Sequence, residues 1–233
     1  MKKEKLNIVI DTETCGDLKH PIIYDLGYVV AKKDGTILEE RNFILKDVFY
    51  GRADLVKMSF FGKHYEEYER MIKNDEVELM DTVDVKNELK RTIEEYSVNY
   101  DVRLCAYNMA FDKKALQATA RYISGGFVQT WFTTEKFKYE CIWNMACQTV
   151  CNTKKYIKWA LENGYVSDKG NITTNAETVY KYMFGAKDFK EDHMALSDAR
   201  IELQILTVLD KRHERMKRDI NPRCWAIPQK KRG

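Results

Sequence analysis

Two acidic residues, one position apart, follow an apolar run near the start of the chain. Residues 7–10 are mostly Val and Ile, and Asp11 and Glu13 come next, with Thr12 between them. In a β-strand, residues i and i+2 point to the same face, so both carboxylates would lie on one side. Two anions held this close repel each other unless a cation lies between them, and hard divalent cations prefer oxygen ligands. The pair indicates a metal site if the strand is buried, although such a pair alone is more typical of a solvated strand end.

Two later segments place further acids at the starts of helices. Asp112 lies near the start of a helix predicted for residues 110–123, and Asp198 lies near the start of one predicted for residues 195–216, five positions after His193. Singly, each acid fits a helix start favoured by the helix dipole, and a lone histidine is usually a surface or capping residue. Together, the carboxylates would need about two divalent cations for neutrality. A histidine has a suitable pKa to deprotonate a water held by such cations.

The elements that position these residues follow from hydrophobic periodicity and turn signals. The sequence predicts an opening meander of three strands whose last two are joined by the hairpin signal Asp34-Gly35. An aromatic stretch of irregular to helical character follows at residues 48–75. The predicted strands are residues 6–11, 24–31, 36–45, 103–107 and 140–142, and the predicted helices are residues 82–98, 110–123, 142–150, 153–164, 176–184 and 195–216. This order predicts one α/β domain with a mixed sheet over residues 1–233.

The composition is that of a soluble globular protein, with 44% apolar and 32% charged residues. The net charge of +3 neither indicates nor opposes binding to nucleic acid. No signal peptide or membrane span is evident. The six cysteines form no C-x-x-C pair, so we expect reduced thiols in a cytoplasmic protein.

The acidic segments, taken in order, resemble the three motifs of the DEDDh 3′→5′ exonucleases. That superfamily contains the proofreading epsilon subunit of bacterial DNA polymerase III, ribonuclease T and oligoribonuclease. The resemblance covers about residues 6–210 and implies a ribonuclease H-like fold, with a five-stranded mixed sheet flanked by helices. It is carried by Asp11-Thr12-Glu13, by Asn108-x-x-Phe111-Asp112 and by His193-x-Ala195-x-x-Asp198-Ala199.

The resemblance also implies a mechanism and a role for each matched residue. The reaction would be hydrolysis at the 3′ end of a single strand, releasing nucleoside 5′-monophosphates with two Mg²⁺ or Mn²⁺ ions. Asp11, Glu13 and Asp198 would bind the tighter ion. Asp11 would bridge to the second ion, to which Asp112 contributes directly or through water. His193 would be the general base.

Substrate contacts are expected around these motifs. Thr12, Thr14 and Asn108 are candidates to contact the terminal nucleotide, and Phe111 is either a wedge against a base or a core residue under its helix. Residues 58–63 form a second aromatic candidate, for which packing is the more ordinary role. The basic residues at 211–218 and 230–232 could guide single strands, although a solvated helix end is the commoner explanation for such a run.

The resemblance leaves the substrate open. The chain looks most like stand-alone epsilon-like exonucleases of bacteria and their phages, which favours single-stranded DNA. Ribonuclease T and oligoribonuclease share the same catalytic residues, so a 3′→5′ exoribonuclease is an alternative. A non-catalytic nucleic-acid-binding module attached to a polymerase or repair complex is a further one, and the oligomeric state is not indicated.

Overall fold

The sheet of the computed structural model is built around its first strand. The structure describes residues 3–132, 137–212 and 215–229. β1 (Glu4–Cys15) pairs antiparallel with β2 (Ile22–Lys32) and parallel with β5 (Tyr100–Ala106). The other strands are β3 (Ile37–Leu45), β4 (Glu78–Met80) and β6 (Lys138–Cys141). The six strands form a mixed sheet in the order β4-β3-β2-β1-β5-β6.

Helices cover both faces of this sheet. Between β3 and β5 lie α1 (Lys46–Phe49), α2 (Ala53–Met58), α3 (Tyr65–Lys73) and α4 (Thr82–Ser97), with a 3-10 turn at Gly62–His64. After β5 come α5 (Met109–Ile123) and, directly after β6, α6 (Ile142–Thr149). The remaining helices are α7 (Lys154–Glu162), α8 (Ala176–Phe184), α9 (Ala195–Lys211) and α10 (Ala226–Gln229).

The predicted α/β class with a mixed sheet is confirmed, but the described residues form a sheet of six strands rather than five. The additional strand is β4, which pairs parallel with the end of β3. It has three residues, too few to show the alternation by which a strand is recognised in a sequence. β1 is also longer than predicted. Its pairing with β2 continues through Asp11 and Glu13 to Cys15, so both acids lie inside a strand.

The last long helix is shorter than predicted, since α9 ends at Lys211 rather than at residue 216. Arg212 is already extended, and the chain then returns to the domain. There Arg218 pairs with Asp210 and, at 2.7 Å, with Glu140. The predicted basic helix end is therefore partly used in ion pairs. Residues 213–214 and the basic tail at 230–232 lie outside the described residues.

Alternation along β1 divides its side chains between two cores. Ile8 and Ile10 pack with residues of α4 and α5 on one face. Val9 packs on the other face with residues of α6, α8 and α9. Since Asp11 and Glu13 share the parity of Val9, their side chains are placed on the α9 side of the sheet.

The remaining global predictions concern cysteines and membrane spans. All six cysteines are buried and lie outside any disulfide; that they are reduced in the cell stays a prediction. Among the described residues, no helix has the length and apolarity needed to cross a membrane.

Gly27 on β2 lets the start of α9 approach the sheet. It lies opposite Asp11 in the β1–β2 register. A Cβ atom at this position would lie 2.2 Å from the backbone nitrogen of Leu196 and 2.4 Å from the carbonyl carbon of Ala195. Only a residue without a side chain fits, and this close approach brings the first turn of α9 towards the acids of β1.

We therefore expect Gly27→Ala to destabilise the protein by about 1–3 kcal/mol, the usual cost of overpacking. The reason is that the backbone of α9, rather than a flexible side chain, must move. Urea unfolding with a constant m-value would measure the change. An unchanged midpoint would show that α9 can shift without cost and would contradict this account.

Candidate active site

All nine residues predicted to form the site line one cavity. It has a volume of about 470 Å³ and lies where β1, the start of α5 and the start of α9 meet. The residues predicted from the sequence are Asp11, Thr12, Glu13, Thr14, Asn108, Phe111, Asp112, His193 and Asp198. The cavity thus gathers side chains that are separated by up to about 190 positions in the sequence.

The acids of β1 and α5 are held in place by local backbone and hydroxyl groups. The register of β1 against β2 shifts between Glu13 and Thr14, and such a bulge redirects side chains at the strand end. Asp112, in the first turn of α5, accepts a hydrogen bond of 2.9 Å from the hydroxyl of Thr12. The Thr12 hydroxyl, which we considered as a nucleotide contact, is therefore directed at Asp112.

His193 and Asp198 meet Glu13 at one end of the cavity. One potential ligand atom from each of these residues lies within 4.8 Å of the others. The Nδ1 atom of His193 is 3.8 Å from Oδ2 of Asp198. Among the described residues, Oδ1 of Asp198 is buried and has no hydrogen-bond partner. A buried acceptor without a donor suits a cation, because an unpaired polar atom otherwise costs free energy.

The backbone of His193 has an unusual conformation. Its φ is +58°, in the left-handed region that residues other than glycine seldom adopt. Strained residues of this kind concentrate at functional sites. Met194 follows as the N-cap residue, and α9 begins at Ala195.

A buried carboxylate outside the predicted set, that of Asp25, fixes the start of α9. Its oxygens accept hydrogen bonds from Asn42 Nδ2 at 2.5 Å, from the Tyr68 hydroxyl at 2.8 Å and from the Ala195 backbone N–H at 3.0 Å. Asp25 thereby ties together β2, β3, α3 and α9. The sequence gives no local signal for this role, because its partners lie far away in the chain.

Sequence reasoning also missed two acids that line the cavity. Glu202 lies four residues after Asp198 on α9, and its Oε2 accepts a 2.8 Å hydrogen bond from the backbone N–H of Tyr107. Glu191 precedes His193 by two positions. The i, i+4 spacing from Asp198 to Glu202 places both on one helix face and could have identified Glu202.

Burial and mutual repulsion raise the pKa values of the acids in the cavity. Burial, followed by the charges of neighbouring carboxylates, raises the pKa of Glu13 to about 9 and that of Asp198 to about 8. Burial raises the pKa of Asp112 to about 7, despite the opposing hydrogen bond from Thr12. The pKa of Asp11 is also raised, through burial and the charge of Glu202. Such a group of carboxylates would be stabilised in its ionised form by cations.

The stability of the protein in EDTA is expected to fall as the pH rises from about 6 to about 9. These carboxyl groups ionise near their ordinary pKa values when unfolded, but only at about pH 7–9 when folded. The folded state therefore binds more protons in this window, and the free energy of unfolding decreases with pH. Melting temperatures across the pH series would measure the slope. Added Mn²⁺ should raise the melting temperature most at the alkaline end, whereas a rising stability in EDTA would contradict the argument.

Three phenylalanine side chains form the aromatic wall of the cavity, those of Phe60, Phe61 and Phe111. Phe111 is half-buried and lines the cavity, as the proposed wedge would. Phe60 also lines it and is 90% exposed, so the packing role that we preferred for residues 58–63 is wrong for this ring. Phe61 stacks on the imidazole of His193, with ring centroids 3.9 Å apart.

Comparison with known proteins identifies related folds among solved structures. No model of a known protein family matches the chain, and no curated protein matches it. Exonuclease I of E. coli in complex with a 5cy-dT13 oligonucleotide matches with a TM-score of 0.52 and 13% identity, over 96% of this chain and 42% of that chain. Exonuclease I of Methylocaldum szegediense matches with a TM-score of 0.55 and 15% identity, over 98% of this chain and 43% of that one.

A zinc-bound complex of E. coli Exonuclease I with single-stranded DNA matches similarly, with a TM-score of 0.54 and 13% identity over 91% of this chain and 41% of that chain. The chain thus spans less than half the length of the solved proteins that it resembles. At these identities the likeness concerns the fold, and it confirms the expected ribonuclease H-like architecture.

Proposed function

We propose that the protein is a 3′→5′ exonuclease that hydrolyses single-stranded DNA to nucleoside 5′-monophosphates with the help of divalent cations. The observation that carries this proposal is the meeting of Asp11, Glu13, Asp112, Asp198 and His193 in one cavity. The fold shared with Exonuclease I, two of whose solved forms carry single-stranded DNA or an oligonucleotide, supports DNA as the substrate.

The carboxylates would hold the cations. Asp11, Glu13 and Asp198 would bind one ion, and Asp11 with Asp112 would bind a second. The unpartnered Oδ1 of Asp198 fits such a role. When bound, two divalent cations activate the attacking water and stabilise charge on the leaving oxygen. The ionised forms of the acids, which burial disfavours, become favourable when a cation shares the cavity.

His193 would act as the general base. Its Nδ1 faces Asp198, which leaves Nε2 to accept the proton of the attacking water. Burial lowers the pKa of His193 below its ordinary value of 6.5. The imidazole is therefore mostly neutral at pH 7, in the form that can accept a proton.

The terminal nucleotide would lie between the acids and the aromatic wall. Bases stack on aromatic faces in sites that accept single strands with little regard to sequence. Phe111 and Phe60 offer such faces. Thr14 and Asn108 line the same cavity, and the Asn108 side chain does not cap α5, so its amide can contact sugar or phosphate.

Matched DNA and RNA oligomers of one sequence would test the substrate. We expect single-stranded DNA to be degraded to 5′-mononucleotides in Mg²⁺ or Mn²⁺, faster than RNA and faster than a blunt DNA duplex. Faster loss of RNA would overturn the choice of DNA but keep the reaction. Binding of DNA without products in either metal would overturn the proposed catalysis.

A further inference from the structure

We propose that Phe61 is a positioning residue that holds the imidazole of His193 in place by ring stacking. Phe60, which contacts Phe61, would bind the base of the nucleotide and thereby restrict the motion of the stacked pair. The aromatic turn, residues 59–62, carries the two rings. This inference rests on the proposed function. Through these two rings, binding of the nucleotide would affect the orientation of the general base.

The imidazole of His193 lies nearly parallel to the Phe61 ring. The planes of Phe61 and His193 are 19° apart, with a centroid distance of 3.9 Å. Among the described residues, the nearest carboxylate is that of Asp198, 3.8 Å from Nδ1, which is too long for a hydrogen bond. The His193 side chain also remains 32% exposed. Removal of Phe61 would remove this stack, the one ring contact of His193 among the described residues, and we expect the imidazole orientation to become less defined.

The backbone of the aromatic turn is well fixed. The Ser59 hydroxyl donates to the Val56 carbonyl at 2.7 Å, and the N–H of Gly62 donates to the Ser59 carbonyl at 3.0 Å. A Cβ at Gly62 would lie 2.1 Å from the carbonyl oxygen of Lys57, so the turn requires glycine there. The Phe61 ring is thus presented from a defined backbone.

The two partners of the stack are anchored to the same carboxylate. α3 begins at Tyr65, three residues after the end of the aromatic turn, and the hydroxyl of its Tyr68 donates to Asp25. Ala195, two residues after His193, donates its backbone N–H to the same oxygen of Asp25. This arrangement fixes the spacing between the turn and the histidine, as a preorganised catalytic group requires.

Phe60 contacts Phe61 and is itself open to solvent. Its ring meets Phe61 edge-to-face at 4.8 Å and lines the cavity. A phenyl ring that is 90% exposed contributes little burial to stability. A nucleotide base can stack on this ring, and its arrival would then restrict the Phe60–Phe61 pair and, through it, His193.

The two rings are therefore expected to affect different kinetic constants. We expect Phe61→Ala to lower kcat by about tenfold to a hundredfold, the effect of misplacing a catalytic group, with KM changed by less than about threefold. Phe61→Tyr keeps the aromatic face and should retain most of the wild-type kcat. Phe60→Ala should raise KM, and the dissociation constant for DNA with Ca²⁺ in place of Mg²⁺, by about 5- to 150-fold.

Steady-state kinetics on a single-stranded oligomer and fluorescence anisotropy in Ca²⁺ would measure these effects. Phe127→Ala is the matched control, because that ring is 91% exposed and does not line the cavity. Melting temperatures would verify that each variant is folded. A Phe61→Ala variant with wild-type kcat, a Phe61→Tyr variant as impaired as Phe61→Ala, or an unchanged KM in Phe60→Ala would overturn the inference. Absence of hydrolysis by the wild-type protein would instead overturn the proposed function, and the inference with it.

Discussion

Asp11→Asn is expected to lower the rate of nucleotide release by about a thousandfold or more. Asp11 is the acid proposed to contact both cations. Burial, and then the charges of Glu202 and the other acids of the cavity, raise its pKa. Loss of its charge would remove several kcal/mol of charge stabilisation in the transition state, and about 4 kcal/mol corresponds to a factor of about a thousand. The substitution keeps the size of the side chain, so the strand pairing of β1 should persist.

Calorimetric titration with Mn²⁺ would accompany the kinetic measurement. We expect the stoichiometry or affinity of Mn²⁺ binding to fall together with activity. Asp168→Asn, a change of the same kind in an exposed turn, should alter neither property. An Asp11→Asn protein with near wild-type turnover would show that the cavity is not where hydrolysis occurs.

His193→Asn is expected to lower kcat by about 10²- to 10⁴-fold, the usual contribution of general acid–base catalysis. Asparagine is the suitable replacement because it tolerates the left-handed backbone found at this position. We expect Mn²⁺ affinity to be retained, since the carboxylates supply the proposed ligands. Single-turnover rates with saturating enzyme would measure the chemical step.

The alternative for His193 is direct ligation of a cation with Glu13 and Asp198, which the 4.8 Å cluster of these residues would also allow. In that case His193→Asn would lose Mn²⁺ affinity in parallel with its activity. His20→Asn is a suitable control, because its side chain is 71% exposed. The comparison therefore assigns His193 either to proton transfer or to metal binding.

The acids and the histidine of the cavity could be predicted because their signals are local. The i, i+2 spacing of Asp11 and Glu13 and the placement of Asp112 and Asp198 at helix starts are visible within a few residues of sequence. Each local pattern also fixes which face the side chain occupies. That these residues lie close together in space could not be predicted from any single pattern. It was predicted from the resemblance of the three motifs to those of the DEDDh exonucleases.

Other parts of the site depend on contacts that no short segment encodes. Asp25 accepts a hydrogen bond from the backbone of Ala195 across 170 positions. Gly27 matters because the backbone of α9 would overlap a Cβ atom at that position, at 2.2 Å from the Leu196 nitrogen. The sequence around Phe61 gives only aromatic character. Its stacking on His193 results from how α3 and α9 pack on the sheet, so these roles could not have been read from periodicity.

The presence of β4 and the early end of α9 also depend on contacts between distant segments. β4 is a strand because the end of β3 offers it hydrogen-bonding partners, not because of its own pattern. α9 ends at Lys211, before the helical pattern ends, because Arg218 returns to pair with Glu140 and Asp210. In both cases tertiary contacts override local preference.

The central claim concerns the polarity and cation dependence of the reaction. The most direct test is to incubate the protein with one single-stranded DNA oligomer labelled at either its 3′ or its 5′ end, in Mg²⁺, Mn²⁺ or EDTA. We predict immediate release of a labelled mononucleotide from the 3′ end only, with progressive shortening of the 5′-labelled strand and no products in EDTA or from Asp11→Asn. Release from the 5′ end, internal cleavage, or activity that persists in EDTA would contradict the proposed mechanism.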